Sequence, residues 1–540
     1  MSDHLNETSP ADSDPSASAP PPIWGSDPAR PFEPAPAGRS RALTILSWAV
    51  IVIVAGIQVV TVNTMKQVEG SGGEDPVGEL LLQVQGRYMV GVSRLSGGSG
   101  SLVYGQIQSL NTGSVGQRQR FIILAAELAG PAEARRQLDQ LNRLIEQEVR
   151  KTAPGEAGDD AEAVSEDEKA QSPFELTGEQ QRVLQILSKL YPPVTDEEIE
   201  GAEPAEIAVE ALDRADREFL ADELRWFGKL ALAPAGTDDA GAREAVLTAA
   251  QRTFLTLLLS LISAAVVGLG GLIGLIVTIV FALVGRLRSG VKTGRAHHGV
   301  YAETFALWLI VFFPLQLVAG AVTQNAPRLQ LLASIIAFVL SLVVVGWPVL
   351  RGIPWRQVRA DIGWTAGRQP PVEPLAGLAC YAMALPLLAA GLLITLVLLL
   401  IDQALAGPQP VFAPTGGPAH PIVFELADGN WWSILQILLL GSVAAPLVEE
   451  TMFRGVLYRH LRDASRGLGL ALSVIISSAV TAFIFAAIHP QGWMAIPALM
   501  ALATAFALAR EWRGTLIVPM LMHAVSNGLV LGMLSLLLAS

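Results

Sequence analysis

Long apolar runs, rather than a regular alternation of apolar and polar positions, dominate the second half of this chain. The runs extend over about 20 residues, the length that an α-helix needs to cross the hydrocarbon core of a bilayer. They predict helices near residues 254–285, 301–323, 328–350, 376–401, 431–460, 468–489, 492–509 and 515–538. Another run, "ALTILSWAVIVIVAGIQVV", follows Arg39 and Arg41 and predicts an uncleaved transmembrane anchor over residues 39–63.

One large polar block separates this anchor from the other apolar runs. Stretches such as "AEARRQLDQLNRLIEQEVRK" place apolar residues at helical spacing. We therefore predict an acidic, mostly helical soluble domain over residues 64–250. The block contains neither His nor Cys. Partner binding, substrate gating and a spacer role all fit it. Residues 1–38, rich in Pro, Ala, Ser and Asp, predict a disordered tail.

Composition agrees with a membrane protein. Of the 540 residues 51% are hydrophobic, and the mean hydropathy of +0.44 is one that soluble domains seldom reach. The predicted fold is an all-α polytopic membrane protein with about nine transmembrane helices, eight of them in a C-terminal bundle. Residues 251–370 would hold helices two to four. The net charge of −12 comes from the 64–250 block, and nothing suggests nucleic-acid binding.

The basic loops predict how the chain is oriented in the membrane. "RLRSGVKTGR", "RGIPWRQVRADIGWTAGR", "RHLRDASR" and "REWR" occupy every second connection and share a side with Arg39 and Arg41. Cytoplasmic loops carry an excess of Lys and Arg. We therefore expect a multi-pass protein of the cell membrane with a cytoplasmic N-terminus and an extracytoplasmic 64–250 domain.

Three charged residues interrupt the apolar run at "PLVEETMFRG". Ionisable residues at membrane depth are costly and often functional. Glu450 and Arg454 are four residues apart on one helix, so they can neutralise each other and support its packing. Glu449 is rotated by about 100° from Glu450 and is left without that partner. This leaves Glu449 as the carboxylate available for chemistry.

Two further apolar helices carry polar groups that could meet Glu449. "FIFAAIHP" spaces Phe485 and His489 at i, i+4, so the ring can pack on the imidazole. "LMHAVSN" places His523 and Asn527 on one face of the last helix.

Together these groups fit two kinds of chemistry. Glu449 can act as general base on a water while His489, His523 and Asn527 stabilise an oxyanion. Alternatively, Glu449, His489 and His523 can supply ligands to a divalent metal such as zinc.

The motifs E-E-x-x-x-R, F-x-x-x-H and H-x-x-x-N, each on its own helix, resemble those of the CPBP family. This is the CAAX-protease and bacteriocin-processing (Abi) family, whose members resemble the type II CAAX prenyl endopeptidase. The resemblance covers about residues 370–538 and predicts a catalytic membrane domain over residues 371–540. It implies a catalytic glutamate at Glu449 and water or oxyanion partners at His489, His523 and Asn527. It also implies a metalloprotease-like endopeptidase acting on a protein or peptide at the membrane.

Two other readings of the same residues stay open. In a non-catalytic scaffold or immunity-type protein, the polar cluster would only fix helix packing. In a transporter or proton relay, the buried glutamates would carry protons, although the membrane region shows no convincing inverted repeat.

Overall fold

The computed structural model describes residues 37–68, 75–97, 100–152, 174–193, 207–237, 239–293, 299–407, 410–413 and 430–538. Nearly all of the predicted tail over residues 1–38 lies outside these ranges. Within them every regular element is helical, as the sequence predicts. The principal α-helices before the second half are α1 Ala37–Val68, α2 Pro76–Leu95, α3 Gly100–Ile107, α4 Val115–Ala129, α5 Pro131–Thr152, α6 Gly178–Leu190, α7 Arg214–Glu223, α8 Trp226–Leu232 and α9 Ala240–Leu283. They are followed by α10 Val300–Thr323, α11 Gln330–Leu340, α12 Trp347–Leu350, α13 Trp355–Ile362, α14 Glu373–Leu405, α15 Trp431–Ala464, α16 Leu470–Ala487, α17 Ile496–Arg513 and α18 Ile517–Leu538.

Nine helices in this described part are long and apolar enough to cross a membrane, which confirms the predicted fold class. They are Arg41–Thr61, Ala240–Leu283, Val300–Thr323, Pro327–Leu350, Glu373–Leu405, Trp431–Ala464, Leu470–Ala487, Trp493–Arg513 and Ile517–Leu537. The chain is therefore a multi-pass membrane protein with a helical insert after its first span.

α9 begins at Ala240, well before the start that the apolar run predicts near residue 254. Asp239 caps it by accepting a hydrogen bond from the N–H of Ala242 at 2.9 Å. In its first turns, Val246 and Ala250 are buried and join the core of the helical insert. One continuous helix therefore runs from the insert into the membrane, and the predicted boundary after residue 250 lies inside it.

The insert is built around α4. A capping box starts this helix: Ser114 Oγ accepts from the N–H of Gln117, and Gln117 Oε1 accepts from the N–H of Ser114. α4 then buries most of its residues, including Phe121 and Leu124, among α2, α3, α5, α6 and α8. The insert thus has its own apolar core, and we refer to it as the extramembrane domain.

The extramembrane domain packs through α2 along α9, and it also contacts α18 and residues 410–413. The buried Arg87 donates from Nη1 to the carbonyl of Leu537 at 2.8 Å, at the C-terminal end of α18. Burial lowers the pKa of Arg87 to about 10. Phe412, which precedes α15, is 7% exposed and lies in the core of the domain. The domain therefore contacts both α18 and the segment leading into α15.

α14 lies beside the helices that carry the candidate site and contacts one of them, α18, directly. α14 also contacts α9 and α17, and α16 packs along α17. A Cβ added at Gly271 of α9 would lie only 1.9 Å from the carbonyl oxygen of Ala382 in α14. Glycine is therefore needed there for the two backbones to approach.

Candidate active site

α15 carries both glutamates and leaves α-helical geometry in two places. Its segments Leu440–Ala444 and Glu450–Leu457 are π-helical, and the α-helical segment Ala445–Glu449 lies between them. π-Helical segments have i→i+5 hydrogen bonds, are rare, and are frequent at functional sites. Glu449 and Glu450 therefore stand at a change of helical register, which aims their side chains in different directions.

Glu450 and Arg454 are fully buried, and their i, i+4 spacing brings them together. Arg454 Nη1 lies 2.9 Å from Glu450 Oε1. The same carboxylate oxygen accepts a hydrogen bond from His523 Nδ1 at 2.9 Å. Glu450 therefore supports Arg454 and also orients His523. The second role is invisible in the sequence because it joins two separate helices.

Phe485 holds His489 in place from α16. Their ring centroids are 4.1 Å apart, and His489 Nδ1 lies 2.5 Å from the carbonyl oxygen of Phe485. Phe485 also contacts Arg454, whose guanidinium lies 4.6 Å from the centre of the ring, within cation–π range. Phe485 thus links the buried ion pair to the imidazole.

Glu449 on α15, His523 on α18 and His489 in the turn after α16 converge; α16 ends at Ala487, so His489 lies just beyond the helix that was predicted to reach residue 489. Glu449 Oε2 lies 3.9 Å from His489 Nε2 and 3.9 Å from His523 Nε2. This oxygen is buried and has no hydrogen-bond partner among the described residues. The Glu449 side chain as a whole is 17% exposed. The cluster therefore contains a carboxylate with one oxygen facing two imidazoles.

The hydrogen-bond partners of the two Nδ1 atoms indicate which nitrogen of each imidazole carries the proton. A carbonyl or carboxylate oxygen only accepts, so Nδ1 must carry the proton in both histidines. In the neutral form, each Nε2 then has a lone pair facing Glu449. Arg454 carries one positive charge against the two carboxylates. One additional proton shared by Glu449 and the histidines would make the cluster neutral.

Asn527 lies on the α18 face predicted from its spacing to His523, but the structure joins it to the backbone of α15. Its Nδ2 donates to the carbonyl of Gly441 at 2.8 Å. A second contact that sequence reasoning missed comes from the loop after α13, where Trp364 Nε1 donates to Thr451 Oγ1 at 3.0 Å. No sequence signal could have found either pairing, since both join elements distant in the chain.

Glu449, His489 and His523 are the side chains that could hold a metal ion. Two nitrogen or oxygen ligands of a tetrahedral zinc lie about 3.4 Å apart when each is about 2.1 Å from the metal. The distances of 3.9 Å from Glu449 to each histidine are wider. Among the described residues, no group of three or more His, Cys, Asp or Glu side chains is arranged to hold a metal. This spacing is wider than a tetrahedral zinc site requires, and the metal stays a prediction.

The fold and site define a helical membrane protein with a glutamate and two histidines meeting within its bundle. Residues 430–529 match the family model described as type II CAAX prenyl endopeptidase Rce1-like. This confirms the resemblance predicted from the motifs over a region that contains Glu449, His489, His523 and Asn527.

Two curated proteins are similar to the chain. The membrane-embedded CAAX protease MroQ of Staphylococcus aureus (strain USA300) is 35% identical over 89 residues, 16% of this chain and 35% of MroQ. An uncharacterized 24.3 kDa protein of Escherichia coli is 29% identical over 120 residues, 21% of this chain and 53% of that protein. The chain thus spans about a third and about half of the lengths of these relatives. No solved structure matches it.

Proposed function

We propose that the protein is a membrane-embedded endopeptidase that hydrolyses a peptide bond of a membrane-associated protein or peptide. The observation that carries this proposal is the unpartnered Oε2 of Glu449, 3.9 Å from the Nε2 atoms of both histidines. A carboxylate of this kind is costly in a packing scaffold and useful to an enzyme. The match of this region to a protease family gives independent support.

The spacing suits a water molecule better than a direct hydrogen bond. Atoms 3.9 Å apart are too far apart to bond directly, but a water about 2.8 Å from each can bridge them. In the proposed reaction, Glu449 removes a proton from this water as its oxygen attacks the scissile carbonyl carbon. His489, held through Nδ1 by Phe485, orients the water with its Nε2 lone pair.

The remaining steps need a proton on His523. With that proton, His523 becomes an imidazolium that donates Nδ1–H to Glu450 and Nε2–H to the developing oxyanion. The tetrahedral intermediate collapses when the C–N bond breaks, and Glu449 passes the water proton to the leaving nitrogen. Water and one peptide bond thus become a carboxylic acid and an amine, without an acyl-enzyme and without a metal in any step.

We also propose the membrane orientation that the basic loops favour, with a cytoplasmic N-terminus and an extracytoplasmic extramembrane domain. Cysteine labelling tests it simply, because Cys380, the single native cysteine, is buried. A cysteine introduced at the exposed position Glu218 should react with an impermeant maleimide in intact cells.

The function is tested by comparing membrane-protein fragments from cells that carry the native chain or Glu449→Gln. This substitution keeps the shape of the side chain and removes the base. Glu218→Gln is the matched control, since Glu218 is an exposed partner of Arg214 in the extramembrane domain. We expect specific fragments to disappear, and their precursors to accumulate, only with Glu449→Gln. Identical profiles from equally abundant, correctly inserted proteins would favour a non-catalytic scaffold.

A further inference from the structure

We propose that Asn527 is a positioning residue: its side-chain amide replaces the backbone donor that Pro446 lacks, and so fixes the π-helical turn ahead of Glu449. This inference deepens the proposed function, on which its catalytic consequence rests. Its structural part concerns one hydrogen bond between α18 and α15 and can be tested without any substrate.

The segment before Pro446 follows the π-helical register. The N–H of Ala445 donates to the carbonyl of Leu440, five residues earlier, which is the π-helical pattern. In the same register, the N–H of residue 446 would donate to the carbonyl of Gly441. Proline has no N–H. The sequence therefore removes the donor for this one buried carbonyl.

Asn527 supplies a donor in place of the missing N–H. Asn527 Nδ2 lies 2.8 Å from the Gly441 carbonyl oxygen, at normal hydrogen-bond length. Gly441 is buried, so water is a poor substitute partner. The side chain of α18 thus satisfies a backbone group of α15 that would otherwise be orphaned.

Gly441 on α15 and Gly528 on α18 lie where the two helices come close together. A Cβ added at Gly441 would lie 2.5 Å from Leu531 Cδ1. On the opposite helix, a Cβ added at Gly528 would lie 3.3 Å from Ser442 Oγ. Two glycines therefore allow α15 and α18 to approach beside Asn527, and the short amide side chain can reach the backbone.

The position of this bond explains its effect on the site. Pro446 precedes Glu449 by less than one helical turn, and Asn527 follows His523 by about one turn. The hydrogen bond therefore sets the height and rotation of Glu449 relative to His523. Glu449 Oε2 and His523 Nε2 are 3.9 Å apart. Asn527 then acts on the reaction through Glu449, and the N–H that binds Gly441 is committed to the backbone.

The test is a double-mutant cycle between Asn527→Ala and Pro446→Ala, with cleavage of the substrate found in the fragment comparison as one readout. Loss of one hydrogen bond should slow cleavage by about tenfold in Asn527→Ala. Pro446→Ala restores a backbone donor at residue 446. We therefore expect the double variant to cleave within about threefold of Pro446→Ala alone. An oxyanion donor at Asn527 would leave the double variant as slow as Asn527→Ala, and that result would overturn the proposal.

The same cycle is read by thermal unfolding and by hydrogen exchange over residues 440–449, neither of which depends on catalysis. Asn527→Ala should lower the melting temperature and speed exchange in this segment, and Pro446→Ala should reverse much of both effects. Ser535→Ala is the matched control, because Ser535 on the same helix bonds within its own helix, to Leu531 O. It should show no coupling to Pro446→Ala. If the native protein cleaves nothing, the proposed function fails while this cycle still decides the structural claim. Additive effects of Asn527→Ala and Pro446→Ala on the melting temperature and on hydrogen exchange would overturn the structural claim.

Discussion

Glu449→Gln and Glu450→Gln, at neighbouring positions, should differ in their effect on the free energy of unfolding. Glu450 is fully buried, and one of its oxygens accepts hydrogen bonds from both Arg454 and His523 at 2.9 Å. Charge-assisted hydrogen bonds of this kind contribute about 1.5–3 kcal/mol each. Removing one partner of a buried ion pair costs about 3–5 kcal/mol.

For Glu450→Gln, the lower end of the range of about 3–5 kcal/mol for a broken ion pair applies. The new amide oxygen still accepts one neutral hydrogen bond, and Arg454 keeps the Ala503 carbonyl at 3.2 Å and the Phe485 ring. We therefore expect a loss of about 3 kcal/mol, a large part of the roughly 5–15 kcal/mol that stabilises typical proteins.

Glu449→Gln should leave the free energy of unfolding unchanged or raise it. Glu449 Oε2 is buried without a hydrogen-bond partner, so no direct hydrogen bond offsets the desolvation of this oxygen. The assay is equilibrium unfolding in mixed micelles of a mild detergent and sodium dodecyl sulfate, run on both variants and the native protein. If Glu449→Gln destabilised the protein as much as Glu450→Gln, Glu449 would be a structural residue and our reading of the pair would be wrong.

Three further predictions concern other parts of the molecule. Phe412→Ala should destabilise the extramembrane domain by about 3 kcal/mol, because Phe412 lies in its core; faster limited proteolysis of the full-length protein would reveal this. Cleavage activity should survive prolonged chelation of divalent metals, since no step we propose uses one; loss on chelation and recovery with zinc would restore the metal alternative. The hydrogen bond from Lys189 lowers the pKa of Asp216 below its ordinary 3.8, so this pair stabilises the domain above that pH. Its contribution should fade as the pH drops below 3.8 towards the folded-state pKa, and the stability difference from Asp216→Asn should shrink over the same range.

Much of the membrane fold could be predicted because a bilayer imposes a simple requirement on length and apolarity. The nine spans among the described residues follow from this requirement. The pairing of Glu450 with Arg454 follows from their i, i+4 spacing on one helix. The early start of α9 was missed because its first turns bury against the extramembrane domain and carry polar residues.

The rest of the site depends on contacts that no local pattern contains. The bond from His523 to Glu450 and the bond from Asn527 to Gly441 both join α18 to α15. We propose the same origin for the π-helical turn Leu440–Ala444, because Asn527 of another helix satisfies the carbonyl of Gly441. Periodicity identified Glu449 as the carboxylate outside the ion pair, but only the assembled helices bring it to His489 and His523.

The central claim is that Glu449 activates water for peptide hydrolysis. The most direct measurement is the cleavage rate of purified native protein and of Glu449→Gln, reconstituted in liposomes with the substrate found in the fragment comparison. General-base catalysis contributes about 10²–10⁴-fold, so we expect the variant to be slower by at least about a hundredfold while remaining as stable as the native protein. Cleavage by the variant at the native rate would contradict the claim.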